Sequence, residues 1–332
     1  MYNDRIPKYK ELALKRNSKL LVYVTGDRQG LETQIHSEVF DFFISHLDKF
    51  GVTPKISLLL YSRGGETLAG WGIVNLIRQF CTDFEIIVPS KAQSTATLMC
   101  LAANRIVMTK QATLGPIDPS VNTPLNPKIE GGPPNARFPV SVEAIKGYFE
   151  LAKNELGING DNDLTKILLT LTDKVHPLVL GEVYRAQSQI KMLAKRLITF
   201  QTTDEQKIEK IVSFLCSESG SHDYTINRRE ARDSLGLQIE KPNDELYGII
   251  KTIFDDINNE LELTNKYDPM RLLGTNNQKP YSFKRCLVES VENGSHVYLS
   301  EGTLSKRVIQ TAPGIPQWAV DDTRTFEGWR RQ

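Results

Sequence analysis

No apolar run in this chain approaches the ~20 residues that a membrane-spanning helix needs. Runs such as SLLLYS (57–62) and EIIVPS (85–90) are far shorter. An excess of either charge is also missing: 41 Lys and Arg stand against 40 Asp and Glu. Counterion-release binding needs a concentrated basic surface, so neither nucleic acid nor an anionic membrane is an expected partner. Cysteine is sparse. Cys81, Cys100, Cys216 and Cys286 lie far apart, with no CxxC or Cys/His ligand spacing. That excludes a disulfide framework and predicts no metal site. The first residues, MYNDRIPKYKELALKRNSK, are charged throughout and lack the apolar core of a signal peptide, which predicts a soluble, cytoplasmic protein. Three site signatures are absent as well. Without GxGxxG or GxxxxGK[ST], dinucleotide and phosphate readings lose ground, and no cofactor is expected. Without GxSxG, the α/β-hydrolase elbow does too.

What is present is an alternation. Four β-rich runs, KLLVYVTG (19–26), KISLLLYS (55–62), FEIIVPS (84–90) and RIVMT (105–109), are separated by helical patterns over about 33–50, 67–81 and from Ser94 onward. Strands that are nearly continuous in apolar residues and alternate with helices predict an α/β fold, with a mostly parallel sheet covered on both faces. From 113 to 139 the chain holds seven prolines and three glycines, which predicts a long irregular loop. Helical patterns follow at about 141–156, 162–174, 178–200, 204–217 and 243–262. The polar tail carries one hairpin signal at Asn293-Gly294. The expected division is a domain over 1–240 and a helical, β-hairpin extension over 241–332.

The chemistry concentrates at two corners that follow successive strands. One is Ser62-Arg63-Gly64-Gly65-Glu66-Thr67-Leu68-Ala69-Gly70 and the other is Lys91-Ala92-Gln93-Ser94-Thr95-Ala96. Both lie beyond carboxyl ends of strands, where open α/β sheets bind ligands. A Gly-Gly pair opening a helix exposes backbone N–H groups, and Ser94 begins the next helix, where further N–H groups point outward. Acyl transfer needs this combination of a hydroxyl and donors for the developing negative charge. Each corner also has a plainer reading, as a turn and as an N-cap.

Three separated segments, SRGGETLAG, AQSTATLMCLAANRIVMTKQATLGPIDP and SHDYTINRREARDSLGLQI, resemble the Clp protease and signal-peptide-peptidase superfamily, whose fold is crotonase-like. LGPIDP, HPLVLG and the SHDY segment resemble in particular the serine dehydrogenase proteinase branch of Clp-fold serine peptidases. The likeness spans about residues 19–240. It implies that Ser94 is the nucleophile and that Gly65, shaped by Gly64, forms an oxyanion hole with the Thr95 N–H. It also places Asp223, eight residues before Ala231, where the Clp subunit carries its triad Asp. The Clp subunit's base, a His on the segment matching LGPIDPS, has no counterpart here.

Three bases therefore stay open. His222 would take the proton with Asp118 or Asp223 orienting its ring. Lys146 is spaced as in bacterial signal-peptide peptidases and would have to be desolvated. Lys91 lies three residues before Ser94 on a strand expected to point it elsewhere. His222-Asp223 also reads as a local turn or cap. His36 and His46 read as surface or satisfied core residues, and His176 as a cap. His296 has no evident partner.

The expected activity is ATP-independent hydrolysis of peptides or unfolded proteins. Two rivals remain: a crotonase-type acyl-CoA enzyme using the same donors, and a catalytically idle module that binds peptides or partners. The long helix near 178–200 corresponds in the resembled superfamily to a handle for assembly, so a homo-oligomer is expected. The end, with Trp318 and FEGWRRQ, reads either as an interface anchor or as an irregular tail.

Overall fold

The structure is a computed structural model. It describes residues 1–117, 120–218, 221, 223–310 and 316–332. Two compact units emerge, one built from Met1–Leu114 with Asn227–Gln332 and the other from Gly115–Ile226.

The first unit begins with a helix that the sequence reading did not anticipate. Helix α1 (Tyr2–Arg16) runs straight through Pro7 and buries Arg5, Tyr9 and Leu12. Proline in a second helical turn normally ends a helix, because it lacks a donor and crowds the preceding turn. Here tertiary contacts outweigh that cost. The Arg5 guanidinium, only 2% exposed, pairs with Glu289 at 2.7 Å and also engages Glu260. The chain then alternates: β1 (Lys19–Thr25), α2 (Phe40–Phe50), β2 (Thr53–Tyr61), α3 (Thr67–Phe80), β3 (Cys81–Val88), the short β4 (Lys91–Ala92), α4 (Thr95–Leu101), β5 (Arg105–Met108) and β6 (Thr113–Leu114). The expected helix over 33–50 starts later than its apolar periodicity suggests. Ile35 is held in an isolated parallel bridge to Gly65, and His36 caps the turn that leads into α2.

In the second unit, β7 (Ser120–Val121) pairs antiparallel with β8 (Val140–Ser141), and helices α5 (Val142–Glu150), α6 (Asp161–Thr172), α7 (Pro177–Ile198) and α8 (Glu205–Ser213) follow. The proline-rich stretch between β7 and β8 is organised around Asn126, a buried amide that donates to Val121 O (2.7 Å) and Phe138 O (2.9 Å). A small valine core of Val140, Val142, Val175, Val179 and Val183 joins α5 and α7.

After β9 (Ile226–Asn227) the chain continues through β10 (Ile239–Glu240), α9 (Asp244–Leu261) and α10 (Pro269–Leu273). Strands β11 (Gln278–Ser290), β12 (Gly294–Gln310) and β13 (Pro316–Arg331) close it. The main sheet has eight strands in the order β10-β5-β3-β2-β1-β11-β12-β13. The five strands from β10 to β1 are parallel, and β11, β12 and β13 add antiparallel to β1, so the sheet is mixed. The Asn293-Gly294 signal falls at the β11–β12 connection, where Gly294 has φ 85°. The terminal aromatic segment is β13, with the Trp329 ring 4.8 Å from Phe42 and 5.7 Å from Tyr298.

Burial explains the alternation. Leu20, Val22 and Val24 of β1 share one core with Tyr9 and Leu12 of α1 and Ile250, Ile253 and Ile257 of α9. Tyr23 points the other way and meets Phe43 of α2 edge-on at 5.3 Å. Helices thus cover both faces, and a strand buried on both sides has no polar register to show. The α/β class expected from the sequence is the observed one.

Candidate active site

The first unit brings the two corners together. Strands β2 and β3 run parallel, so their carboxyl ends finish side by side, and the connection continues as a bridge between Ser62 and Ala92. Ser62 N–H donates to Lys91 O at 3.3 Å, and Gln93 N–H donates to Ser62 O at 3.0 Å. The Thr95 hydroxyl then donates to Gly65 O at 2.7 Å, which pins the first residue of α4 to the double-glycine bend. Small residues are required at this seam. Gly64 and Gly65 have φ 109° and 149°, values that L side chains rarely adopt. A Cβ on Gly64 would stand 2.7 Å from Ser94 Cβ, and one on Gly65 would run into the Ile35 backbone. Gly70 of α3 gives way in the same manner to the Thr95 methyl group.

Ser94 occupies the N-cap position of α4 yet does not cap it: its side chain makes no capping hydrogen bond. Within its unit, the hydroxyl has no partner among the described residues. Its backbone is strained, with φ 51° and ψ −119°. Among the described residues two other non-glycine residues have positive φ, Asn17 (ψ 53°) and Glu262 (ψ 40°), and both sit in the ordinary left-handed basin at helix C-caps. Ser94 lies outside that basin, a conformation that costs about 1–3 kcal/mol and survives only where surrounding structure enforces it. The enforcing contacts are the bonds to Ser62 and Gly65 just described, together with Ala96 N–H to Gln93 O and Leu98 N–H to Ser94 O, each 3.0 Å. The side chain is half-buried rather than packed in hydrocarbon.

Donors are available beside it. Gly64 N–H is taken by Ser62 Oγ at 3.0 Å, and Ile35 bonds the carbonyl of Gly64 and the N–H of Glu66. Gly65 N–H is skipped by this pattern. Thr95 N–H belongs to the first turn of α4, where backbone donors have no partner inside the helix. Neither donates to a described residue of its unit.

Lys91 points away from Ser94's role. Its ammonium pairs with Asp27 at 2.6 Å and lies over the Tyr61 ring, whose hydroxyl donates to the other oxygen of Asp27 at 2.8 Å. Burial, then the Asp27 charge, push the Tyr61 phenol up and keep it neutral. Cys100, a few residues along α4, is fully buried, which raises its thiol and rules it out as a thiolate nucleophile.

The remaining candidates fall in the second unit or outside the described residues. Lys146 on α5 donates to Ser217 O at 3.2 Å and stands 3.4 Å from Glu150, with its side chain 38% exposed. Asp223 is exposed, and its N–H donates to Ser221 Oγ at 3.2 Å. Asp118 and His222 lie outside the described residues. Of the other histidines, His176 caps α7 as expected, accepting from Leu178 N–H at 3.2 Å. His296, which had no evident partner, meets His46 at 3.0 Å. Sequence reasoning missed Ile35 as the third wall of the seam and Asp27 as the anchor of Lys91. Asp27 stands in the polar stretch just past β1, and the apolar Ile35 carries no sign of its backbone role.

Two corners laced into a double-glycine bend beside a strained serine form one seam on an α/β sheet. Residues 10–130, which contain both corners, match the family described as ClpP-like SDH-type serine proteinase. The resemblance read from the motifs is to that family. Relatives include an uncharacterized protein of Methanocaldococcus jannaschii, 25% identical over 299 residues, covering 88% of this chain and 86% of that one. A second from the same organism is 24% identical over 191 residues, 57% of this chain and 54% of its own. Solved structures with loose similarity include a membrane-bound stomatin-specific protease (TM-score 0.38, 16% identical, 68% of this chain and 82% of that chain). Another is ClpP1 from Listeria monocytogenes (TM-score 0.37, 14% identical, 71% and 98%). Among the described residues no helix is long and apolar enough to cross a membrane.

Proposed function

We propose that this protein is a Clp-type serine peptidase with Ser94 as its nucleophile. The observation that carries the reading is the Ser94 backbone, held at φ 51° and ψ −119° against Gly64 while its hydroxyl neither caps nor bonds within its unit. Strain of this kind, enforced by bonds to Ser62 and Gly65, is the expected cost of presenting a reactive side chain. In the reaction, Ser94 Oγ forms a bond to the peptide carbonyl carbon and gives its proton to a base. The carbonyl oxygen becomes an oxyanion facing the Gly65 and Thr95 N–H groups. Collapse breaks the C–N bond, the amine leaves with the proton, and water releases the acyl group by the reverse route.

His222 is assigned as the base, with Asp223 or Asp118 orienting its ring, and Lys146 is the alternative. The bonds of Lys146 to Ser217 and Glu150 would have to be given up for it to serve. Peptides or unfolded chains are the substrates, and assembly runs through the second unit. There α6 buries none of its residues, while Leu169, Leu178 and Tyr184 stand exposed.

A fluorophosphonate probe tests the nucleophile. Wild type should label covalently and Ser94→Ala should fall to background; equal labelling of the two removes the proposal. Peptide turnover in His222→Ala and Lys146→Ala then separates the bases, with the true base costing roughly 10²–10⁴-fold.

A further inference from the structure

A cavity of about 520 Å³ opens in the first unit, between the loop after β1 and the segment joining α9 to α10. Its volume suits a small-molecule ligand. The lining carries four cations, Arg28, Lys266, Arg271 and Lys279, against two carboxylates, Glu262 and Asp268. Both carboxylates are already engaged. Glu262 pairs with Arg28 at 2.7 Å, and Asp268 accepts the Arg271 backbone N–H at 3.1 Å as the cap of α10. Lys266, Arg271 and Lys279 form no ion pair with a described residue of their unit. Three positive side chains without an ion pair therefore line the cavity, against one carboxylate, Asp268, that has none either.

Arg28 makes this more than a patch of surface cations. Its side chain is 11% exposed and its position is over-determined. Nε donates to Asn265 O at 2.9 Å, Nη2 meets Glu262, and the guanidinium carbon stands 4.9 Å from the Phe283 ring and 5.8 Å from the Tyr267 ring. Nη1 has no partner among the described residues of the unit. The wall itself is fastened, since Tyr267 N–H donates to Gln29 O at 3.0 Å. A fixed guanidinium with a spare donor edge, beside two ammonium groups and a second guanidinium, suits a phosphate or carboxylate oxygen cluster.

We propose that this cavity binds a compact, multiply charged oxyanion, carried by phosphate groups or by several carboxylates. Arg28 supplies the fixed contact, and Lys266, Arg271 and Lys279 supply the neutralising charge. The site is separate from the proposed catalytic seam and does not depend on that reading.

Titration calorimetry of the full chain with inorganic pyrophosphate and, in a second arm, with citrate tests it at matched ionic strength. Saturable binding at one site is expected for at least one of them, and the tighter of the two identifies the source chemistry. Lys266→Glu combined with Arg271→Glu changes two exposed residues and should weaken that binding at least tenfold. Lys49→Glu combined with Lys241→Glu, exposed and outside the cavity lining, should leave it unchanged. Absence of saturable binding by both probes overturns the proposal. Equal weakening by the two double variants does so too, because it would mean diffuse attraction rather than a site.

Discussion

Ser94 and the two glycines opposite it form a unit in which each residue's conformation depends on the others. Gly64→Ala must fit a Cβ 2.7 Å from Ser94 Cβ and 2.9 Å from Gln93 O, at φ 109°. The left-handed backbone alone costs about 1–2 kcal/mol for an L-residue, and the clash adds to it. The expected outcome is a lowered melting temperature together with loss of fluorophosphonate labelling. A Gly64→Ala protein that melts and labels as wild type would mean that the bend does not set the Ser94 geometry. The double glycine and the small-Ser-small corner were legible in the sequence as motifs. The strain was not, because a backbone torsion at residue 94 is imposed by bonds from residues 62 and 65.

Among the elements, the contact between α2 and β12 is where pH acts. His46 of α2 is completely buried, donates or accepts at Ser290 Oγ (2.7 Å), and meets His296 of β12 at 3.0 Å. Burial, then the neighbouring His296, lower its pKa from 6.5 to about 3, and burial with the Arg331 charge lowers that of His296. A group held neutral in the fold while the unfolded chain binds a proton stabilises the fold fully above its unfolded value. That stability is lost as pH falls from about 6.5 towards 3, at up to ~1.4 kcal/mol per pH unit for His46. Thermal melts from pH 7 to 4 should show this decline, and His46→Gln should flatten it. An unchanged slope in the variant would place the acid sensitivity elsewhere. Helices α3, α7 and α9 could be read from periodicity almost to the residue. Helix α1 could not, since its charged sequence carries a proline and its stability comes from Arg5 meeting Glu289, a residue 284 positions away.

For the whole molecule, the question is assembly. The second unit leaves Leu168, Leu169, Leu178, Tyr184 and Met192 exposed on α6 and α7. Scattered apolar residues are ordinary on a surface, but a run along adjacent helices asks for a partner. Light scattering should give a mass above that of one 37.5-kDa chain, and Leu178→Glu with Tyr184→Glu should reduce it. A monomeric wild-type protein would remove the proposed homo-oligomer. The parallel half of the sheet was legible from four apolar strands spaced by helices. Of the antiparallel half, the β11–β12 hairpin was legible at Asn293-Gly294, but β13 was not, because it mixes charges and aromatics and its pairing is settled only once β12 is present.

Local sequence determined what local physics enforces. Buried strands must be apolar, helices must carry a periodic face, and tight bends must be glycine, so the α/β class and both corners were readable from composition and spacing. Tertiary structure alone decided which carbonyl each corner bonds, which cations find a carboxylate and which histidines lose their water. Those outcomes depend on distances between residues far apart in the chain, and no pattern along a sequence encodes a distance across it.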